Sequence, residues 1–247
     1  MQDRHLPTIT PLTARSVAIS ALLGYHPPAL PVSELVKVGG LFGIAERTTR
    51  VALTRMAADG DVVADNGVYR LTERLVRRQA RQEEGSSPQA RDWDGGWEMA
   101  VVTAAARQLP ERVALRRSMA GLRLAELREG VWLRPDNLLR SPGETVAGQC
   151  TFFTSRHPDP EKLVATLWDL PAWAKEARRL CAAFDEVEGL AAGFMLVATV
   201  FRHLLVDPYL PPELLPLDWP GDELRRRHSA FRADYARRLR DYARADT

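Results

Sequence analysis

The stretch ERTTRVALTRMAADGDVVADNGVYRLT, Glu46 to Thr72, decides how this chain is read. Its first half carries residues at helical spacing up to a stop at Asp59-Gly60. At about 100° per residue, Thr49, Ala52, Leu53 and Met56 share one side and can pack on neighbouring helices. Arg47, Thr48, Arg50, Val51, Thr54 and Arg55 make up the opposite arc. The second half, DVVADNGVYRLT, sets two short β-prone runs around Asp65, Asn66 and Gly67. Asn-Gly between such runs is a strong hairpin signal, because both turn residues must accept positive φ.

Working outward, Thr13 can cap a first helix whose apolar residues Val17, Ile19, Leu22 and Leu23 precede a stop at Gly24. His26, Pro27 and Pro28 make a turn, and a second helix is expected from Val32 to Val38, ending at Gly39 and Gly40. Three helices followed by a hairpin predict a winged helix-turn-helix over residues 1–88. A helix-prone run, Thr72 to Glu84, and the linker GSSPQA, Gly85 to Ala90, follow it.

The next segment, residues 91–168, changes character. WEMAVVTA (Trp97 to Ala104) reads as a buried strand, and PERVALRRSMAG (Pro110 to Gly121) as a helix with proline in its first turn. GVWLRP (Gly130 to Pro135) and GQCTFFTS (Gly148 to Ser155) read as further strands, and a helix follows from Asp159-Pro160 to about Leu167. This β-α-β-β-α order, closed by a short strand near Trp168, predicts a small ferredoxin-like sheet. From 169 to 247 the chain reads as helices: Pro171 to Val187, Gly189 to Val206, and a long amphipathic one from Asp222. The fold class expected is therefore α+β, in three parts.

The arc on the third helix suits a major-groove reader. Arginine grips phosphate or donates two hydrogen bonds to guanine, and threonine and valine methyls meet thymine methyls. Arg70, on the return strand of the wing, is placed to meet a phosphate. An arginine-rich arc can also be a plain solvated face; the two preceding helices and the wing favour DNA. Charge agrees: residues 1–82 hold 11 Lys and Arg against 7 Asp and Glu, a net of +4, whereas the rest holds 23 against 25.

Other classes find little support. The longest nearly apolar run, Gly189 to Phe201, has 13 residues, short of the about 20 that a membrane span needs. With no basic-then-apolar leader legible, a cytoplasmic protein is expected. Cys150 and Cys181 lack metal-ligand spacing and read as reduced, packed thiols, and the five histidines form no ligand cluster. No cofactor, nucleophile-elbow or phosphate-loop motif is present. A metal nuclease of the ferredoxin-like kind would need a carboxylate after the first central strand. Here that end offers Thr103 and alanines, with Glu98 at the other end, so no catalytic activity is expected. A winged helix that binds protein, as an interaction scaffold, is the remaining alternative.

Three stretches carry a family resemblance: Thr13 to Val62, REGVWLRPDN at Arg128 to Asn137, and FRHLLVDPYLPPELLPLDWPGDELR at Phe201 to Arg225. In this order they resemble the PaaX family, repressors of phenylacetate degradation operons and their relatives. The resemblance implies a transcriptional repressor with a winged helix, a ferredoxin-like middle and a helical C-terminal part. It also implies a homodimer on a palindromic double-stranded DNA operator, released by an aryl-acyl-CoA such as phenylacetyl-CoA. Such an effector needs arginines near an apolar slot with aromatics. The candidates are Arg116, Arg117 and Arg123 near the first middle helix, and Arg128 and Arg134 around Trp132. The proline-rich stretch after Val206 reads as a loop locked onto a core. Both the C-terminal helices and the edge of the middle sheet are open as dimer interfaces.

Overall fold

In the computed structural model, which describes residues 13–25, 27–77, 88–104 and 108–245, helix α1 (Ala14–Leu23) begins at Thr13. The Thr13 hydroxyl accepts the Ser16 N–H at 3.1 Å, and the Ser16 hydroxyl accepts the Thr13 N–H at 3.1 Å, a reciprocal cap. A short strand, β1 (Ala29–Pro31), follows before helix α2 (Val32–Leu41) and helix α3 (Glu46–Ala58). Strands β2 (Val62–Asp65) and β3 (Val68–Leu71) form the expected hairpin, with Asn66 at φ 47° and Gly67 at φ 79° in its turn. β1 adds to the far side of β3, giving the sheet order β1-β3-β2. It was not expected, because three residues carry no usable periodicity; its Pro31 is tolerated on an edge strand. The helix-prone run after Thr72 is helical over 73–77, and its remainder, 78–84, with the first half of the linker, 85–87, lies outside the described residues.

Helix α2 does not end at Gly39-Gly40 but runs through both glycines to Leu41. The reason is packing against α3: a Cβ on Gly39 would lie 2.6 Å from the Thr49 Oγ1. Glycine here permits close approach of two helices and is not a stop signal. Gly39→Ala is therefore expected to destabilise the protein by about 1–3 kcal/mol through overpacking, read from the urea midpoint at unchanged slope.

By contacts the chain falls into two compact units. The first comprises residues 1–83, 182–200 and 226–247. Its core joins Val17, Leu22, Leu35, Leu53 and Met56 to Phe194, Tyr235 and Leu239 from far along the chain. The second comprises residues 84–181 and 201–225. Helices α7 (Leu170–Glu186), α8 (Leu190–Leu205) and α9 (Gly221–Arg244) are helical as expected, and each has residues in both units.

In the first unit His228, 6% exposed, is buried on α9. Burial, and then the nearby Arg232 charge, push its imidazole down to about 4, against a hydrogen bond with the Val197 backbone. In the unfolded chain an imidazole titrates near about 6.5. Between these values the unfolded state takes up a proton that the folded state refuses, so stability falls as pH drops from about 6.5 toward 4. Urea midpoints measured across that range should fall for the wild type and fall less steeply for His228→Phe.

The second unit is built on a four-stranded antiparallel sheet, ordered β5-β6-β4-β7. The strands are β4 (Trp97–Val102), β5 (Ala125–Arg128), β6 (Val131–Pro135) and β7 (Cys150–Ser155). Helix α4 (Leu109–Gly121), with Pro110 in its first turn, connects β4 to β5, and the short α5 (Glu144–Ala147) connects β6 to β7. This is the ferredoxin-like arrangement, but its parts differ from the expectation. The second strand is β5, and β6 and β7 are the third and fourth. Trp168 caps helix α6 (Pro160–Leu167) rather than forming a closing strand. β5 escaped notice because it has four residues and a bulge between Glu126 and Arg128. On one face Ala100 and Trp132 pack against Leu115 and Met119 of α4 and Val146 of α5; on the other Trp97 and Leu133 meet Leu163, Leu210 and Leu214. The proline-rich loop is thus locked onto the core, as its composition suggested.

Candidate nucleic-acid interface and effector residues

Helix α3 is anchored by Thr49, Leu53 and Met56, which are 2%, 0% and 1% exposed. Burying one side of a helix fixes its rotation about its own axis, so the other side is set by the sequence period. All six arc residues, Arg47, Thr48, Arg50, Val51, Thr54 and Arg55, are exposed. Val51 is 43% exposed and suits contact with a thymine methyl. Arg50 reaches back to Glu46, with Nε and Nη2 at 2.8 and 2.7 Å from Oε1. The Thr54 hydroxyl donates to the Arg50 carbonyl at 3.0 Å, so it is committed within its own helix. On the wing, Arg70 is exposed and pairs in register with Val63 of β2, itself 58% exposed.

A clamp that sequence reading missed holds the turn between α3 and the wing. Asp61, whose side chain is 5% exposed, accepts from Arg15 Nε at 3.1 Å and also from Arg15 Nη2. Its other oxygen accepts from Arg74 Nη2 at 2.8 Å, and the same guanidinium donates to the Asp59 and Gly60 carbonyls at 3.1 and 3.3 Å. The Thr72 N–H donates to the Asp61 carbonyl at 3.0 Å. One carboxylate therefore ties the start of α1, the end of α3 and the chain leaving the wing.

The six effector candidates fall into separate places. Arg116 and Trp132 border a shallow concavity beside α4 that also includes Arg112, Glu126 and Glu129. Its arginines are paired: Arg116 Nη2 lies 2.9 Å from Glu126 Oε2, and Arg112 Nη2 lies 2.8 Å from Glu129 Oε1. Arg117 and Arg128 are exposed on the surface. Arg123 and Arg134 instead turn into the second unit, at 6% and 0% exposure. Arg123 donates to the carbonyls of Asp207 and Leu204. Arg134 donates from Nε to the Pro135 carbonyl at 2.9 Å, and from Nη2 to Asn137 Oδ1 at 2.6 Å and the Tyr209 carbonyl at 3.3 Å. Burial, helped by the Arg140 charge, brings the Arg134 guanidinium down to about 9. These residues do not line one pocket.

Glu98, at the start of β4 and so at the end of the strand opposite the place where a ferredoxin-like nuclease would hold metal, accepts from Arg140 Nη2 at 2.7 Å. Among the described residues, no cluster of three or more metal-ligating side chains is found, and no helix is long and apolar enough to cross a membrane.

Residues 13–75 match the PaaX-like protein family, residues 90–164 the PaaX protein central Cas2-like domain, and residues 161–245 the PaaX-like protein C-terminal domain. Among solved structures, the chain is similar to the uncharacterized protein Rv0674 from Mycobacterium tuberculosis. The identity is 44%, over 93% of this chain and 98% of that one, with a TM-score of 0.83. No curated protein matches. With three consecutive family matches and a close structural relative over nearly its whole length, the chain belongs to the PaaX family of non-catalytic transcriptional regulators.

Proposed function

We propose that this regulator is a repressor that sets α3 in the major groove of its operator and rests the wing, through Arg70, on the adjacent backbone. It acts as a homodimer on a two-fold operator and leaves DNA when it binds a small-molecule effector of the aryl-acyl-CoA class. The working division of the chain is a DNA-binding part over 1–88, a central part over 91–168 and a helical part over 169–247. The observation that carries the DNA reading is the exposed arc from Arg47 to Arg55 opposite the buried Thr49, Leu53 and Met56. The Arg50–Glu46 pair does not oppose it. An exposed i,i+4 pair contributes only about 0.3–0.5 kcal/mol, which a phosphate or a guanine replaces.

The test is fluorescence anisotropy with DNA from upstream of the gene, at two salt concentrations and with and without phenylacetyl-CoA. Saturable, sequence-selective binding that weakens steeply with salt is expected, together with release by the thioester. Binding that ignores the thioester would retain the repressor and discard that effector. Absence of selective binding to any DNA sequence would favour the scaffold reading.

A further inference from the structure

We propose that the second unit contains a binding site for a compact oxyanion, a phosphate group, built on Arg134 and Arg140. Three independent observations meet at this place. The first is unmet hydrogen bonding. Arg134 is wholly buried, and its Nη1 has no hydrogen-bond partner; the buried Arg140 Nε has none either. Buried donors are nearly always paired, because leaving one unpaired costs the whole of its lost hydration.

The second is charge. Arg134 feels the charges of Arg140 and Arg123, Arg123 feels that of Arg225, and the carboxylates beside them are the half-buried Glu98 and the buried Asp207. Both are spoken for. Asp207 pairs with Arg225 and accepts the Tyr209 N–H at 2.8 Å, while Glu98 accepts from Arg140. Asp136, further out, pairs with Arg91 at 2.6 Å, and Asp222 is 92% exposed. Buried cations in excess of anions destabilise a fold unless an anion joins them.

The third is backbone strain. Arg123 (φ 59°) and Tyr209 (φ 50°) are both in the left-handed region, which non-glycine residues rarely adopt. They face each other, with the Arg123 guanidinium 5.7 Å and that of Arg225 4.7 Å from the centre of the Tyr209 ring. Strained residues persist where the surroundings hold them, often at ligand sites. A phosphate oxygen accepting from Arg134 Nη1 and Arg140 Nε would satisfy both donors and offset the excess charge. The phosphate is either free or the terminal group of a larger molecule; the second source rests on the effector reading above.

The test is calorimetric titration of the full chain, in a buffer without other oxyanions, with inorganic phosphate and separately with coenzyme A. Saturable binding of at least one probe is expected. Arg134→Gln risks misfolding, so two milder variants carry the comparison. Arg140→Gln should weaken binding by about tenfold or more, the loss of a charged hydrogen bond. Glu98→Gln, which removes the carboxylate competing for Arg140, should strengthen it severalfold. Binding of phosphate assigns the free ion, and binding of coenzyme A alone assigns the larger carrier. Failure of both probes to bind the wild type, or binding unchanged in Arg140→Gln, overturns the site. A titration of operator DNA run alongside separates the two proposals: an anion that binds without altering DNA affinity keeps the site and removes its regulatory role.

Discussion

An Arg50→Ala variant is expected to bind its operator about 1–3 kcal/mol more weakly, with little change in stability. The side chain is exposed and held only by Glu46, so its removal leaves no buried group unpaired. If Arg50 reads guanine, the loss is concentrated on operators that keep the base pair it contacts. If it grips a phosphate, affinity falls uniformly across sequences and the salt slope drops by about one. Anisotropy titrations at several salt concentrations, on the operator and on single-base variants, distinguish these. Glu46→Gln supplies the opposite arm. It takes a carboxylate away from the DNA and releases Arg50, so affinity should rise. If both variants bind like the wild type, α3 is not the reading helix.

Helix α3 and the wing were legible because two strong local signals adjoin one another. A helical period with one apolar side fixes which residues face outward, and Asn66-Gly67 fixes the hairpin and its register. The ferredoxin-like sheet was legible as a class, because three of its strands are apolar runs bounded by turn residues. Its second strand was not, since AELR (Ala125–Arg128) offers too few residues to alternate. Gly39 misled for a different reason: a glycine that ends a helix and one that lets two helices touch look identical in sequence. The arginines expected from sequence to meet an effector show a wider limit. Arg116 and Arg123 sit seven residues apart in similar company, yet one pairs at the surface and the other is buried under a loop 84 residues later in the chain. Residue type was readable; direction depends on long-range packing. Arg134 and Glu98 were noticed singly, but nothing local announces that Arg140 brings their charges together.

The Asp61 clamp shows the same limit and yields the largest expected effect on stability. Asp61→Ala should destabilise the protein by about 2–4 kcal/mol, toward the lower part of the range for broken buried ion pairs. The carboxylate is almost wholly buried and receives two guanidiniums, so its loss removes several charged hydrogen bonds at once. The cost is moderated because Arg15 and Arg74 are 47% and 65% exposed and can turn back to water. The Arg77–Glu73 pair supplies the contrast. Its side chains are 74% and 86% exposed, and Arg77→Ala should shift stability by no more than about 0.5 kcal/mol. Urea unfolding followed by circular dichroism measures both. The clamp also fixes the exit of α3, since Arg74 holds the Asp59 and Gly60 carbonyls. Asp61→Ala protein that remains folded at low temperature should therefore bind operator more weakly, although Asp61 itself is buried. A variant with normal stability and normal DNA affinity would mean that the hydrophobic contacts of Thr49, Leu53 and Met56 orient α3 without the clamp. Full stability with weakened binding would instead assign Asp61 a positioning role alone, with Arg15 and Arg74 each finding compensation in water.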